Sequence, residues 1–273
     1  MDRRHDPIAL SDEHNSRGIE LADRGWLDEA IKAFRKAIEL DPESAHAYDN
    51  LGTVYAEKRQ FVDAVDAYLN ALRIEPDSPS AHYNLACFLA GHGLEMAIEE
   101  YQRALEVDPG YPDAHVNLAL TYADLGRFDE ALEHYRIALD LNPDDVAARH
   151  EMATVLMDAA RHHDAIPHLR TVLKREPDNV DANIDLGICF TATGFPDEAR
   201  KPLEHAIALA PGDALARYHR AALAAVTGDP DGCFEHLRVA VAEDRDRVRS
   251  WLHGDRLFDA LRSDTRFVEL LTS

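Results

Sequence analysis

Apolar residues recur along the chain at helical spacing, and the pattern itself repeats about every 34 residues. Within each repeat, positions 4, 7, 8 and 11 fall on one face of a first helix, and positions 20, 24 and 27 fall on one face of a second. A short polar segment separates the two helices. The pattern predicts an all-α chain of consecutive helical pairs, A and B, that stack without a single central core.

Prolines near the end of each repeat mark the period: Pro42, Pro76, Pro109, Pro143, Pro177 and Pro211. The residue before a proline disfavours the α region, so each proline is expected to end a helix B. The predicted repeats are 11–44, 45–78, 79–111, 112–145, 146–179 and 180–213, with a degenerate seventh at 214–246. The third repeat is one residue short, in a segment with Gly91 and Gly93, which indicates a different corner between its helices.

Small residues recur at two positions where the helices of a pair should cross. Position 8 is always glycine or alanine: Gly18, Gly52, Ala86, Ala119, Ala153, Gly187 and Ala221. Position 20 is small as well, and position 24 is a large apolar residue: Phe34, Tyr68, Tyr101, Tyr135, Leu169, Leu203 and Leu237. We expect close contact between the backbones of A and B, with the large side chain filling the remaining space.

These residues resemble the tetratricopeptide repeat family, whose signature combines aromatic, Leu-Gly, Ala and Pro residues at these offsets. The second repeat matches nearly throughout: Tyr48, Leu51, Gly52, Tyr55, Ala64, Tyr68, Ala71 and Pro76. The resemblance covers about residues 11–246. It implies a right-handed α-solenoid superhelix whose inner wall is formed by the A helices.

The two ends depart from the repeat. Residues 1–10 are expected to be a flexible tail. Residues 247–273 contain apolar residues at helical spacing and are expected to form capping helices that cover the last helix B. A docking motif in this C-terminal segment is the alternative.

The charge balance restricts the partners. The chain carries 29 basic and 51 acidic residues, a net charge of −22. Nucleic acid and anionic membranes require a positive surface, so neither is an expected partner, whereas a basic protein or peptide would be attracted. The alternative is that the charge only keeps an elongated molecule soluble. Three scattered cysteines, no apolar signal segment and no long apolar run predict a cytoplasmic protein without membrane insertion.

Asparagines at position 6 of three consecutive repeats are the most specific functional signal: Asn50, Asn84 and Asn117. An amide side chain offers a donor and an acceptor together, so a row of them could bind the backbone of an extended peptide. The row is similar to the asparagine ladder of O-linked N-acetylglucosamine transferases. The alternative is that these asparagines bond within or between helices.

The expected peptide-binding groove extends to neighbouring positions on the A helices. Its other members are Tyr83, Val116, Leu120, Asp124, Ile184, Ile188 and Tyr218. Apolar residues on a face that would otherwise be solvated indicate a binding surface, and acids at position 13 favour a basic ligand. Contact between adjacent A helices and solvated helix ends are the alternative interpretations.

No catalytic, cofactor or metal motif is found, and the spacing of His162, His163 and His168 suits no single helix face. The basic clamp that some relatives use for a peptide carboxylate is missing, with Asn15 and Ile19 at the corresponding positions. We therefore expect a non-catalytic scaffold or adaptor that binds an extended or helical partner segment, as a monomer or a homo-oligomer. A self-assembling structural scaffold and the substrate-recruiting subunit of a separate enzyme are the alternatives.

Overall fold

A computed structural model of the chain describes residues 6–272, which form seven consecutive helical pairs followed by three C-terminal helical segments. The A helices are α1 Pro7–Asp23, α3 Ala45–Glu57, α5 Pro79–Ala90, α7 Pro112–Asp124, α9 Val146–Asp158, α11 Val180–Ala192 and α13 Ala214–Val226. The B helices are α2 Leu27–Leu40, α4 Phe61–Ile74, α6 Leu94–Val107, α8 Phe128–Leu141, α10 His162–Arg175, α12 Pro196–Leu209 and α14 Pro230–Glu243. The C-terminal segments are α15 Arg245–Gly254, a 3-10 helix at Arg256–Leu261, and α16 Thr265–Thr272. The predicted all-α solenoid of paired helices is confirmed.

The chain divides into two compact units between residues 143 and 144. The N-terminal unit contains α1 to α8, and the C-terminal unit contains α9 to α16. Within each unit, every helix A packs against its own helix B, and every helix A after the first also packs against the helix B that precedes it.

Position 8 is small because the ring or branched side chain at position 24 lies directly against it. A Cβ atom added to Gly52 would lie 2.8 Å from Cδ1 of Tyr68, and one added to Gly187 would lie 2.4 Å from Cγ of Leu203. Both distances are shorter than van der Waals contact. The glycines therefore set how closely the two helices of a pair approach.

The corner between A and B is a tight turn that contains one left-handed residue. Gly25, Gly126, Gly194 and Gly228 occupy this position with φ between 72° and 80°, while Arg59 and Ala160 hold it in two other repeats. The short third repeat has no left-handed residue at this corner: Gly91 has φ −79° and ψ −4°, and Gly93 is extended with φ −175° and ψ 99°. The sequence expectation of a different corner in this repeat agrees with that geometry.

The prolines end the B helices as expected. The residue one before Pro42, Asp41, has left the helix with φ −136° and ψ 93°. The carbonyl oxygens of several of these prolines accept hydrogen bonds from position 4 of the next helix A. The four hydrogen bonds run from His82 Nε2 to Pro76, from His115 Nε2 to Pro109, from Asn183 Nδ2 to Pro177 and from Arg217 Nε to Pro211.

The predicted N-terminal tail requires a correction. Residues 1–5 lie outside the described residues, but residues 7–10 form the first turn of α1. Asp6 caps this helix by accepting a hydrogen bond from the backbone N–H of Ile8, and Pro7 occupies the first helical position, where its missing N–H costs nothing.

At the other end, the C-terminal segments cover the last pair of helices. Phe258 and Phe267 are fully buried in one cluster with Phe234 and Leu237 of α14. The guanidinium of Arg266 lies 4.1 Å above the ring of Phe234, which fixes α16 over helix α14. These contacts pack the C-terminal segments against α13 and α14.

Candidate interaction face on the A helices

Positions 2, 6, 9 and 13 are three or four residues apart, so they lie along one side of each helix A. In the N-terminal unit we name this surface the A face; it is formed by α1, α3, α5 and α7. Position 6 supplies Asn50, Asn84 and Asn117; position 9 supplies Ile19, Thr53, Cys87 and Leu120; position 13 supplies Asp23, Glu57 and Asp124. The surface therefore combines amides, small apolar groups and acids in parallel rows.

The asparagines connect adjacent A helices. Each amide nitrogen donates to the position 5 side chain of the preceding repeat: Asn50 to Asn15 Oδ1 at 3.1 Å, Asn84 to Asp49 Oδ2 at 2.8 Å, and Asn117 to Tyr83 Oη at 2.9 Å. Of the two interpretations of this row, hydrogen bonding between helices is thus present in the structure.

These hydrogen bonds use the nitrogen of each amide and leave its oxygen available. Within residues 6–272 the oxygen atoms of Asn50, Asn84 and Asn117 receive no hydrogen bond from the protein. The NH₂ group of such an amide is already bonded to the neighbouring helix, whereas its oxygen can still accept a hydrogen bond. The row can therefore accept hydrogen bonds from a ligand without breaking the contacts between repeats.

Asp49, at position 5 beside the asparagine row, has a strongly raised pKa. Its Oδ2 accepts from Asn84, while its Oδ1 is buried and has no hydrogen-bond partner among the described residues. Burial raises the pKa of Asp49 to about 6, although the Asn84 amide opposes that rise. This residue is not among the predicted site residues, although an acid at position 5 beside the asparagine row is a signal that could have found it.

An aromatic group lies next to Asn117. The ring centroid of Tyr83 lies 4.9 Å from that of Tyr111 and 6.0 Å from that of Tyr101, and burial raises the pKa of Tyr83 above its usual value. The hydroxyl of Tyr101 donates a hydrogen bond to the sulfur of the exposed Cys87 at 3.4 Å. In this group Tyr101 is buried, Tyr83 and Tyr111 are half-buried, and Cys87 is exposed.

The A helices of the N-terminal unit also carry apolar and acidic side chains that solvent can reach. Leu120 is 36% exposed, Ile19 is 42% exposed, and Val116 is half-buried. Asp23, Glu57 and Asp124 are exposed at the ends of α1, α3 and α7 and form no ion pair with a described residue. Free acids beside apolar groups suit a ligand that carries both cations and apolar side chains.

The predicted site residues of the C-terminal unit are different, and two of them require correction. Ile184 is only 1% exposed and packs with Ala206 and Ala216, so it cannot line an open groove. Tyr218 is 3% exposed, and its hydroxyl donates to Asp255 at 2.6 Å. Both side chains are used to pack consecutive repeats and the C-terminal cap.

Ile188 is half-buried against the same cluster as Ile184. Position 6 of the sixth repeat is Asp185, which lies 2.9 Å from Nε2 of His150 at position 5 of the fifth. This hydrogen bond raises the pKa of His150. The contact between positions 5 and 6 is therefore kept here with a different pair of side chains.

The described residues contain no cluster of His, Cys, Asp and Glu that could hold a metal ion. The side chains of Cys87, Cys189 and Cys233 are unpaired thiols. Among residues 6–272 no helix has the length and apolar composition needed to cross a membrane.

Models of the tetratricopeptide repeat match residues 47–81, 112–145 and 156–223, and a TPR repeat model matches residues 18–58 and 94–126. These matches extend over most of the chain and follow the helical pairs described above. The chain belongs to the tetratricopeptide repeat family.

Solved structures share the fold at low identity. A structure of pilF from Pseudomonas aeruginosa has a TM-score of 0.66 and 22% identity, over 77% of this chain and 96% of that chain. The C-terminal part of a TPR repeat-containing protein from Cytophaga hutchinsonii has a TM-score of 0.72 and 16% identity, over 94% of this chain and 99% of that chain. YrrB, described as a TPR protein with an unusual peptide-binding site, has a TM-score of 0.59 and 23% identity, over 66% of this chain and 93% of that chain. A comparison with curated protein sequences found no match.

Proposed function

We propose that this protein is a non-catalytic scaffold whose A face binds an extended partner segment that carries basic and apolar residues. The observation that carries the proposal is the arrangement of acceptors on this face. The uncommitted oxygens of Asn50, Asn84 and Asn117 lie in one row, and the free carboxylates of Glu57 and Asp124 lie in another.

Such a surface selects for hydrogen-bond donors. Backbone N–H groups of an extended segment, or the cationic groups of Lys and Arg, can bond to amide oxygens and pair with carboxylates. If adjacent A helices are about 10 Å apart, an extended chain passes one repeat about every three residues. We therefore expect basic residues of the partner to recur with a spacing of about three.

The apolar row adds area without demanding a particular sequence. Ile19 and Leu120 are exposed, and a ligand that covers them would gain about 25 cal/mol per Å² of apolar surface removed from water. The protein-peptide binding stated for YrrB is consistent with this use of the fold. The three free thiols support a cytoplasmic location for the scaffold.

The proposal is tested by selecting peptides from a random display library with the intact protein. The recovered peptides should be enriched in Lys and Arg. Their affinity should fall at least about tenfold in the Glu57→Lys/Asp124→Lys variant, because two favourable pairs become repulsive. The matched control is Asp66→Lys/Asp140→Lys, which changes the net charge equally at two exposed acids of α4 and α8.

Equal losses in both double variants would mean that only net charge matters, and the A face would not be the site. A second pair, Asn84→Ala/Asn117→Ala, should also weaken binding; unchanged affinity in that variant would remove the asparagine row from the proposal. Light scattering over a concentration series distinguishes peptide capture from self-assembly, since mass that increases with concentration favours a homo-oligomeric scaffold.

A further inference from the structure

A second surface lies on the first helical pair, on a different side of α1 from the A face. A pocket of about 370 Å³ opens between α1 and α2. Its lining includes His14, Arg17, Leu21, Trp26, Lys32 and Lys36. Residues 10, 14, 17 and 21 share one face of α1, and residues 29, 32, 33 and 36 share one face of α2, so the pocket is part of a groove between two helices.

The same positions are covered by a helix in the following repeats. Position 7 and position 11 of the second repeat are Leu51 and Tyr55, each 5% exposed in a cluster with Ile31 and Phe34 of the preceding α2. Arg35 of α2 also donates to the hydroxyl of Tyr55 at 2.7 Å. A helix thus lies across these positions wherever a helix B comes before them.

In the first repeat these positions are open among residues 6–272. Position 7 is Arg17, which is exposed, and position 11 is Leu21, which is half-buried. Trp26 is 54% exposed at the end of the groove. The groove therefore has the geometry of a helix-binding site with an apolar floor and no helix on it.

Basic side chains outnumber acidic ones in the lining of this groove, in contrast to the chain as a whole. Arg17, Lys32 and Lys36 border it together with one acid, Glu29, and Arg24 lies 5.9 Å from the ring centroid of Trp26. Lys36 forms an ion pair with Glu39 at 2.9 Å. Two of the five lysines of the chain lie here, although the net charge of the protein is −22. Two copies that met through this face would bring basic groups together, which disfavours a symmetric dimer.

We propose that this groove binds an amphipathic helix of another protein, with an apolar stripe over Leu21 and Trp26 and acidic residues beside Arg17 and Lys32. This site is separate from the A face and requires a ligand of opposite charge. A scaffold with both surfaces could hold a basic extended segment and an acidic helix at the same time.

The test uses the intact protein and a labelled 18-residue helical peptide with leucines at helical spacing flanked by glutamates. Fluorescence anisotropy should detect binding of this peptide, and the same peptide with lysines in place of the glutamates should bind at least about tenfold more weakly. Binding should also shift the emission of Trp26 to shorter wavelength, measured in the Trp251→Phe variant so that only Trp26 reports.

Charge reversal locates the contact. Arg17→Glu/Lys32→Glu should lower the affinity for the acidic peptide at least about tenfold. The control Lys174→Glu/Lys201→Glu changes the net charge equally at exposed residues of the C-terminal unit and should have no effect. Circular dichroism should show the same helix content in all variants.

Several results would overturn the proposal. They are no binding of the acidic peptide, equal binding of the acidic and basic peptides, or equal weakening by the control pair. Self-association of the protein that disappears in Arg17→Glu/Lys32→Glu would assign the groove to a second copy of the chain instead. The Glu57→Lys/Asp124→Lys variant of the A face should retain binding of the acidic helix, which keeps the two sites distinguishable.

Discussion

The side-chain amide of Asn183 donates to the carbonyl oxygen of Pro177 at 3.0 Å and connects two consecutive repeats. His82 and His115 make the equivalent bond to Pro76 and Pro109 at 2.9 and 3.1 Å. The proline that ends a helix B thus exposes a carbonyl group that the next helix A satisfies. Position 4 therefore contributes a connection between repeats, in addition to its place on the packed face of helix A.

Replacing Asn183 with leucine should destabilise the protein by about 1 kcal/mol, because the Pro177 carbonyl loses a partly buried hydrogen bond from a side chain that is only 5% exposed. Chemical unfolding followed by circular dichroism measures the change. The control is Asn70→Leu, since the amide of Asn70 bonds to Asp66 on the surface, where water can replace it. Equal destabilisation by both substitutions would contradict a special role of the proline contact.

The fold was predictable because its determinants are local and repeated. The spacing of Pro42 and its equivalents, and the small residues facing Tyr68 and Leu203, describe contacts within one pair or between neighbours. Which polar side chains remain free is a different problem. Asn84 was recognised as unusual, but its bond to Asp49 depends on the rotation between adjacent A helices, which a repeat pattern does not encode.

The same limit explains the errors. Ile184 and Tyr218 occupy position 5, as Tyr83 does, yet they are buried because the neighbouring helices and the C-terminal cap lie over them. The position of a residue in the repeat therefore predicts which side of the helix it lies on, but it does not predict whether the side chain is exposed to solvent.

Adding a methyl group to Gly52 should be costly. The new Cβ would lie 2.8 Å from the ring of the buried Tyr68, which can move away only by separating α3 from α4. We expect Gly52→Ala to lower the stability by about 1–3 kcal/mol. Gly254→Ala is the control because nothing lies within 4 Å of its added Cβ. A Gly52→Ala protein as stable as the control would show that the helix pair can relax.

A substitution at the corner between α9 and α10 should stabilise the protein. Ala160 has φ 57°, a left-handed conformation that costs a residue with a side chain about 1 kcal/mol relative to glycine. Ala160→Gly is expected to recover about that amount, reduced by the greater freedom of glycine in the unfolded chain. The reverse substitution Gly126→Ala, at φ 72° in the fourth repeat, should destabilise by a similar amount. Thermal unfolding of the two variants should move the midpoint in opposite directions, and a shift in the same direction would refute the strain argument.

The buried carboxyl of Asp49 should make the stability depend on pH. Its pKa is raised from 3.8 to about 6 in the folded protein because burial penalises the charged form. The folded state therefore binds this proton more tightly than the unfolded state, and stability is lost as the pH rises from about 4 through about 6. Asp49→Asn removes the ionisation and keeps an acceptor for Asn84, so the variant should be more stable than the wild type at pH 8 by about 2 kcal/mol.

Near pH 3.5 the difference in stability between the variant and the wild type should nearly vanish, because the carboxyl of Asp49 is then largely protonated in both the folded and the unfolded state. Urea unfolding at the two pH values measures the difference, with Asp66→Asn as an exposed control that should show no such dependence. A gain of equal size at both pH values would mean that the substitution acts through packing, and the ionisation of Asp49 would not be the cause.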